Sequence, residues 1–458
     1  MSRISTFLAM GALTLIATRA QAALVIAWSP TSNVTCAHHI CTATSSDAVL
    51  GMSKLKSLIQ AGNVKVVSGS VAGDIEVNAA VSWLGANTLT LDSYHSIVFE
   101  APFTVAGTGG LVLTTNDGGA DGLLHFTQNG NVTFWSTANA LTIDGHAYTL
   151  VSDIATLAAD VAATPGGYYA LANSYNAQPD GTYAHAPVAT ALTGTFEGLG
   201  NTISNLTVSD PSFGDSVGLF ATIYPTGTVA DIGLLNANVS STASTAGALA
   251  GGNYGTIRHA FATGFVSAVS GGGGLAGGNG GTVEFSHASD AVASGNSAGG
   301  IVGSNTGVIM QSYATGSVQG DEAGGLVGIN SGTQISQCYA TGPVSGGTVG
   351  GLIGANNTGT VTQTYETGSV TGSDAGGLIG DNGGVHTATI TYSYWDTTTT
   401  GMTGKINGTG NRRNNAGITP LNSKTLKSAL PAGFDPAAWG QNAAINGGFP
   451  YLLAIPPS

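Results

Sequence analysis

The sequence predicts an all-β fold in which short parallel strands coil into stacked rungs, a β-solenoid with a short capping segment at each end. Three observations point there. A unit of about 26 residues recurs, with registers opening at Ala246, Gly272, Ala298, Ala323, Val349 and Ala375. A fixed period of this size marks a stacked-repeat architecture. Each copy holds three short apolar or β-branched runs bounded by Gly, Ser, Thr and Asn, the pattern of strands and not of helices. Charged residues are only 8% of the chain while apolar ones reach 42%, so there is a periodic core to bury and the chain is not of the disordered class.

Taken in order, residues 1–22 read as a secretory signal peptide. Arg3 supplies the positive start, residues 7–17 the apolar run and Ala20-Gln21-Ala22 the cleavage site. The mature chain is expected to begin at Ala23 and to be exported. The apolar run is too short to span a membrane, and no later stretch reaches the roughly 20 apolar residues a span needs. Residues 23–61 read as an N-terminal cap, with a helix over 47–60 presenting Leu50, Leu55, Leu58 and Ile59. Residues 62–150 alternate strand-like runs (DIEVNAAVSW, SIVFEAPFTV and LTIDGHAYTL among them) with Gly, Asn and Asp turns, which predicts coils of less regular period. In residues 151–193, Ser152 is the expected N-cap of a helix through Ala163, stopped by Pro165-Gly166-Gly167, and a polar, aromatic connection follows over 168–181. Residues 194–245 read as divergent lead-in rungs and 246–400 as the repeats proper. Residues 401–458 read as a polar loop holding Arg412-Arg413 and then a C-terminal cap, which a solenoid needs to cover its open strand edge.

The clearest copy is AGGLVGINSGTQISQCYATGPVSGGT, residues 323–348. Its first run centres on Leu326 and Val327, its second on Ile335, its third on Val344. One such unit cannot bury its apolar face alone; stacking places each strand beside its equivalent at about 4.8 Å. The paired glycines, such as Gly324-Gly325, suit corners with positive φ or a close backbone approach. Seven residues into each copy stands Asn253, Asn279, Asn305, Asn330, Asn356 or Asn382. These are expected to form an internal amide ladder, as stacked Asn and Gln do in cross-β assemblies; a row of ligand-binding amides is the functional alternative. An aromatic file is also expected from Phe261, Tyr313, Tyr339 and Tyr365, with His287 in the second copy, and its tyrosines are expected to point inward.

These units resemble GLUG-type repeats. The residues that carry the likeness are GGLVGINSG (324–332), SYATGSV (312–318), CYATGPV (338–344) and TYETGSV (364–370). FEGLGNTISNLTV (196–208), VGLF (217–220) and IGLLNANVS (232–240) are similar to the segment that precedes such repeats. Residues 62–150 resemble the β-helical body of filamentous-haemagglutinin-like proteins of Gram-negative bacteria. The resemblance implies a right-handed parallel β-helix, secretion to the cell surface and adhesion by a β-helical shaft. Such repeats also occur beside catalytic domains, so the motif speaks to fold more than to activity.

Charge narrows the partners. Without Arg3 and Arg19 the chain has 9 basic against 24 acidic residues, and between Lys65 and Lys405 the only Lys or Arg is Arg258. Nucleic acid and anionic membrane surfaces, which need clustered cations, are excluded as expected partners. Cys36 and Cys41 are expected to form a short-loop disulfide. A metal site from Cys36, His38, His39 and Cys41 is the alternative, but adjacent histidines and a tight spacer make a poor tetrahedral cage. Cys338 reads as a buried free thiol. Asp321, Glu322 and Asp374 fall at one corner of the repeat and read as solvated. NDGGADG (116–122) reads as a turn, since the tandem nonapeptide of a calcium site is missing. No catalytic, cofactor-binding or metal-ligating set is assigned. The expected role is adhesion to a surface glycan or protein, with a β-helix polysaccharide-active enzyme or a structural spacer as alternatives.

Overall fold

The computed structural model describes residues 22–214, 216–383, 388–402, 408–411 and 416–457. The expected signal segment before Ala22 and Arg412-Arg413 lie outside them. The described chain is a β-solenoid of about 15 turns of parallel stacked strands.

In the repeats, one face is a seven-stranded parallel sheet from Phe220–Ile223 through Ala250–Asn253, Ala276–Asn279, Val302–Asn305, Val327–Asn330 and Ile353–Asn356 to Ile379–Asp381. Its register puts Asn253, Asn279, Asn305, Asn330 and Asn356 directly opposite one another. A second face runs from Thr256–Arg258 through Gln334–Ala340 to Thr389–Asp396, and a third includes Val318–Gly324, Val344–Gly350 and Val370–Gly376. Leu326, Val327, Ile335 and Val344 of one rung meet their equivalents in one continuous core. The paired glycines serve close approach and not positive φ. A Cβ on Gly324 would lie 2.0 Å from the Val327 carbonyl oxygen, and one on Gly325 2.2 Å from that of Gly351, distances at which no side chain fits.

The N-terminal coils have a core of their own. Leu124–Phe126, Ile97–Phe99, Asp74–Val77, Ala23–Ala27 and Asp47–Gly51 form one five-stranded sheet, all of its ladders parallel. The strand Tyr168–Leu171 and its flanks form a wall between the two cores. Tyr169 and Leu171 pack into the repeat core while Ala170 and Ala172 pack into the N-terminal one, as the alternation of a strand requires.

Three expected boundaries are corrected. Residues 47–51 are a strand, paired in parallel with Ala23–Ala27, and the helix is Met52–Ala61, burying Met52, Leu55 and Ile59. The helix expected from Ser152 is Ile154–Ala163, and its N-cap is Asp153, whose carboxylate accepts from the Thr156 N–H, not Ser152. The connection 168–181 contributes the strands Tyr168–Leu171 and Tyr175–Asn176, both paired into the stack. Its Tyr and Ala residues alternate toward two cores, so it shows none of the one-sided apolar pattern that marks a strand in a sequence.

Candidate functional site

The asparagine file is hydrogen-bonded from rung to rung. Asn253 Nδ2 donates to Asn279 Oδ1 at 2.7 Å, Asn279 to Asn305 at 2.7 Å, Asn305 to Asn330 at 2.8 Å, Asn330 to Asn356 at 2.8 Å and Asn356 to Asn382 at 3.0 Å. The Oδ1 atoms of Asn253, Asn305 and Asn330 also accept the backbone N–H two residues on. All six side chains are buried, so these amides hold the corner and present nothing to a ligand.

The aromatic file runs the other way from its expected direction. Cys338 and Ala340 face the solenoid core, and Tyr339 between them joins a separate cluster with Leu426, Phe434, Trp439 and Leu452 of the C-terminal segment. The tyrosines therefore stand on the outer face, under a strap of chain that folds back over them. The inward position beside each of these tyrosines goes to a small residue packed on glycine: a Cβ on Gly300 would already lie 2.5 Å from the Ala314 Cβ, and a ring, Trp395, takes that register in the last rung. Outside, Phe261, His287, Tyr313, Tyr339 and Tyr365 stack with centroids 4.7–5.3 Å apart and planes within 8°. Tyr365 Oη donates to the Pro450 carbonyl at 2.6 Å, and Tyr394 Oη to that of Ala432 at 2.6 Å.

A groove of about 420 Å³ opens on the surface near the start of the repeat stack, lined by Gln178, Thr182, Asn205, Thr207, Asn236 and Asn238. Asn236 Nδ2 donates to Asn205 Oδ1 at 2.8 Å, and Asn205 Nδ2 to Asn176 Oδ1 at 2.9 Å. This is a second amide ladder, and it faces solvent. Asn205 and Asn236 both adopt positive φ, which a short polar side chain tolerates. Beside it, Tyr175 and Tyr183 each donate to the Asp180 carboxylate, at 2.5 and 2.6 Å. Elsewhere, Tyr224 and Tyr254 follow directly on the paired residues Ile223 and Asn253 and are 53% and 56% exposed. This second ladder is missed by a search for the repeat period because Asn176, Asn205 and Asn236 recur at 29 and 31 residues.

The acidic corner is a file with a gap: Glu322 pairs with Thr348, which pairs with Asp374. Burial, then the charges of Asp321 and Asp381, raise the Glu322 pKa. NDGGADG closes on itself, the Asn116 amide donating to the Gly122 carbonyl and accepting its N–H. Cys36 and Cys41 are disulfide-bonded across a hairpin whose turn residues, His38 and His39, both have positive φ. Cys338 is a buried free thiol whose pKa burial pushes up to about 12.

Titratable groups converge where the two cores meet. His125 comes from the N-terminal coils; Asp231 and His259 occupy successive left-handed corners, each just after a strand, Thr228–Ala230 and Thr256–Arg258. A donor atom from each lies within 4.8 Å of the other two. Burial lowers both imidazoles to about 4, the His259 charge adding at His125 and the Arg258 charge at His259. Burial raises the neighbouring carboxyls of Glu197 and Asp231, with the Arg258 guanidinium pulling both back. The three residues are 106 and 28 positions apart in the chain, and no local spacing links them.

Residues 322–345 match the family model of the GLUG motif. A stretch of 212 residues is 30% identical to halomucin of Haloquadratum walsbyi, covering 44% of this chain and 2% of that protein. The chain thus spans a small fraction of that relative's length. A crystal structure of a proposed immunoglobulin A1 protease from Bacteroides ovatus aligns with 68% of this chain and 92% of its own, at 18% identity and a TM-score of 0.45, too loose a likeness to carry an argument. Register, stacking and motif together describe one thing: the molecule is a repeat β-solenoid that carries the GLUG motif.

Proposed function

We propose that this chain is an exported, non-catalytic solenoid that attaches to a surface through its outer faces, with a neutral glycan as the favoured ligand. The observation that carries the reading is the solvent-facing amide ladder of Asn176, Asn205 and Asn236, the last two of which line the groove. Amides offer both donors and acceptors without charge, which suits a polyhydroxylated chain, and repeats at rung spacing suit a polymer. The exposed Tyr224 and Tyr254 add aromatic surface of the kind on which sugar rings stack. The GLUG motif, the halomucin likeness and the low charge of the chain support an extracellular setting.

The test is binding of the mature chain to a panel of neutral and acidic polysaccharides by affinity electrophoresis. An N205A/N236A variant should lose about tenfold in affinity, equal to roughly 1.4 kcal/mol, while keeping its circular dichroism. Equal binding by the variant, or capture of protein ligands alone, would overturn the glycan reading. Shortening of any polysaccharide on incubation would overturn the non-catalytic one.

A further inference from the structure

We propose that His125, Asp231 and His259 bind one divalent transition-metal ion of the zinc class, which ties the N-terminal coils to the repeat solenoid. Two imidazoles and a carboxylate form a donor set suited to zinc and its neighbours in the series. The donors lie within 4.8 Å of one another, against about 3.3 Å for adjacent corners of a tetrahedral zinc site. Modest side-chain rotation closes that gap.

The buried atoms independently call for a cation. The Asp231 side chain is 1% exposed and that of His259 7%. Among the described residues no N–H or hydroxyl donates to either Asp231 oxygen, the neighbouring Glu197 carboxyl being within reach only if it holds a proton, and His125 Nδ1 and His259 Nδ1 also lack hydrogen-bond partners. His259 Nδ1 stands 3.4 Å from Asp231 Oδ1 without making a hydrogen bond. Burying a polar group without a partner is costly, and more so if it is charged. The other carboxyl close to Asp231 is that of Glu197, whose Oε1 already accepts the Leu199 N–H at 3.0 Å. Arg258 offsets one negative charge; the second carboxylate is left to share a proton or meet a cation. Ring packing of His259 between His125 and Phe285, with centroids at 4.7 and 5.1 Å, accounts for the imidazoles, and a single proton shared with Glu197 would satisfy only one of the two Asp231 oxygens.

The position gives the ion a structural role. His125 belongs to the strand Leu124–Phe126, at the edge of the five-stranded sheet, and the other two ligands belong to consecutive rungs of the second stack. Metal bound here stabilises the folded chain by mass action and locks the junction between the two cores.

The experiment uses tag-free mature chain, stripped with chelator and titrated with ZnCl2 by calorimetry and with CoCl2 by visible absorption. The expected result is one ion per chain, a tetrahedral-type cobalt spectrum and a raised melting temperature reversed by chelator. H125Q and H259Q should each weaken binding by about 100-fold or more, whereas H38Q/H39Q on the exposed hairpin should bind as wild type. His125 is only half-buried, so H125Q keeps the test sound if H259Q fails to fold. Absence of stoichiometric binding by wild type would overturn the proposal. So would binding kept by H125Q and lost by H38Q/H39Q.

Discussion

Asn305 shows what a single side chain contributes. Its amide accepts from Asn279, donates to Asn330 and holds the Gly307 N–H. Asn305→Ala leaves these buried partners unmet, and the urea midpoint should fall by an equivalent of about 2–4 kcal/mol. Substitution of the exposed Asn357 beside the file should cost under about 0.5 kcal/mol; equal effects would contradict the internal ladder. Two other residues break the repeat and should make stability pH-dependent in opposite senses. His287 stands in the tyrosine file with its pKa lowered by burial to about 4. The unfolded chain takes up that proton first, so this contribution is present above about pH 6.5 and is lost as pH falls toward 4. His287→Tyr should flatten that acid limb of a melting curve. Glu366 stands where the preceding copies have an inward alanine, and burial raises its pKa well above the usual range. Its folded form holds the proton that the unfolded chain releases, so stability falls as pH rises above about 4.5. Glu366→Gln should raise the melting temperature at pH 7 and leave it unchanged near pH 4; a loss at pH 7 would contradict the reading. The asparagines are legible in the sequence because each rung repeats the same chemistry. His125, Asp231 and His259 are not, because only the meeting of two stacks brings them together.

At the scale of elements, the C-terminal segment is more than an end plug. It folds along the outer face and covers Tyr313, Tyr339, Tyr365 and Tyr394, with Trp439 stacked on Phe434 at 4.5 Å and tilted against Tyr339 and Tyr365. Trp439 is 1% exposed, so Trp439→Ala should cost about 3–5 kcal/mol and open the tyrosine file. The readout is tyrosine accessibility to iodination together with the denaturation midpoint; unchanged accessibility would mean that the strap is not what covers the rings. The strands of the repeat are legible from their Gly-bounded apolar runs. The side of the tyrosines is not, because a ring buried by a distant strap and a ring buried in a core leave the same aromatic at the same register. The deciding clue is the residue after each ring: Ala314 and Ala340 point into the core, and strand alternation then turns the tyrosine beside them to the outer face.

Across the whole molecule, two stacked cores share the wall at Tyr168–Leu171, and Glu197, Asp231, Arg258 and His259 gather near their meeting. The repeats read clearly from sequence because their period is fixed. The N-terminal coils read less sharply because helices and hairpins interrupt them, as at Met52–Ala61 and the Cys36–Cys41 turn. The outer surface carries few cations, an exposed amide ladder and scattered aromatics, which is the basis for placing attachment there. The most direct measurement is surface protease accessibility in the native cell, joined to an attachment assay on a deletion strain complemented with wild type or N205A/N236A. The account predicts a surface-exposed protein, attachment lost on deletion, restored by wild type and not by the variant. A protein inaccessible at the cell surface, with attachment unchanged on deletion, would contradict it.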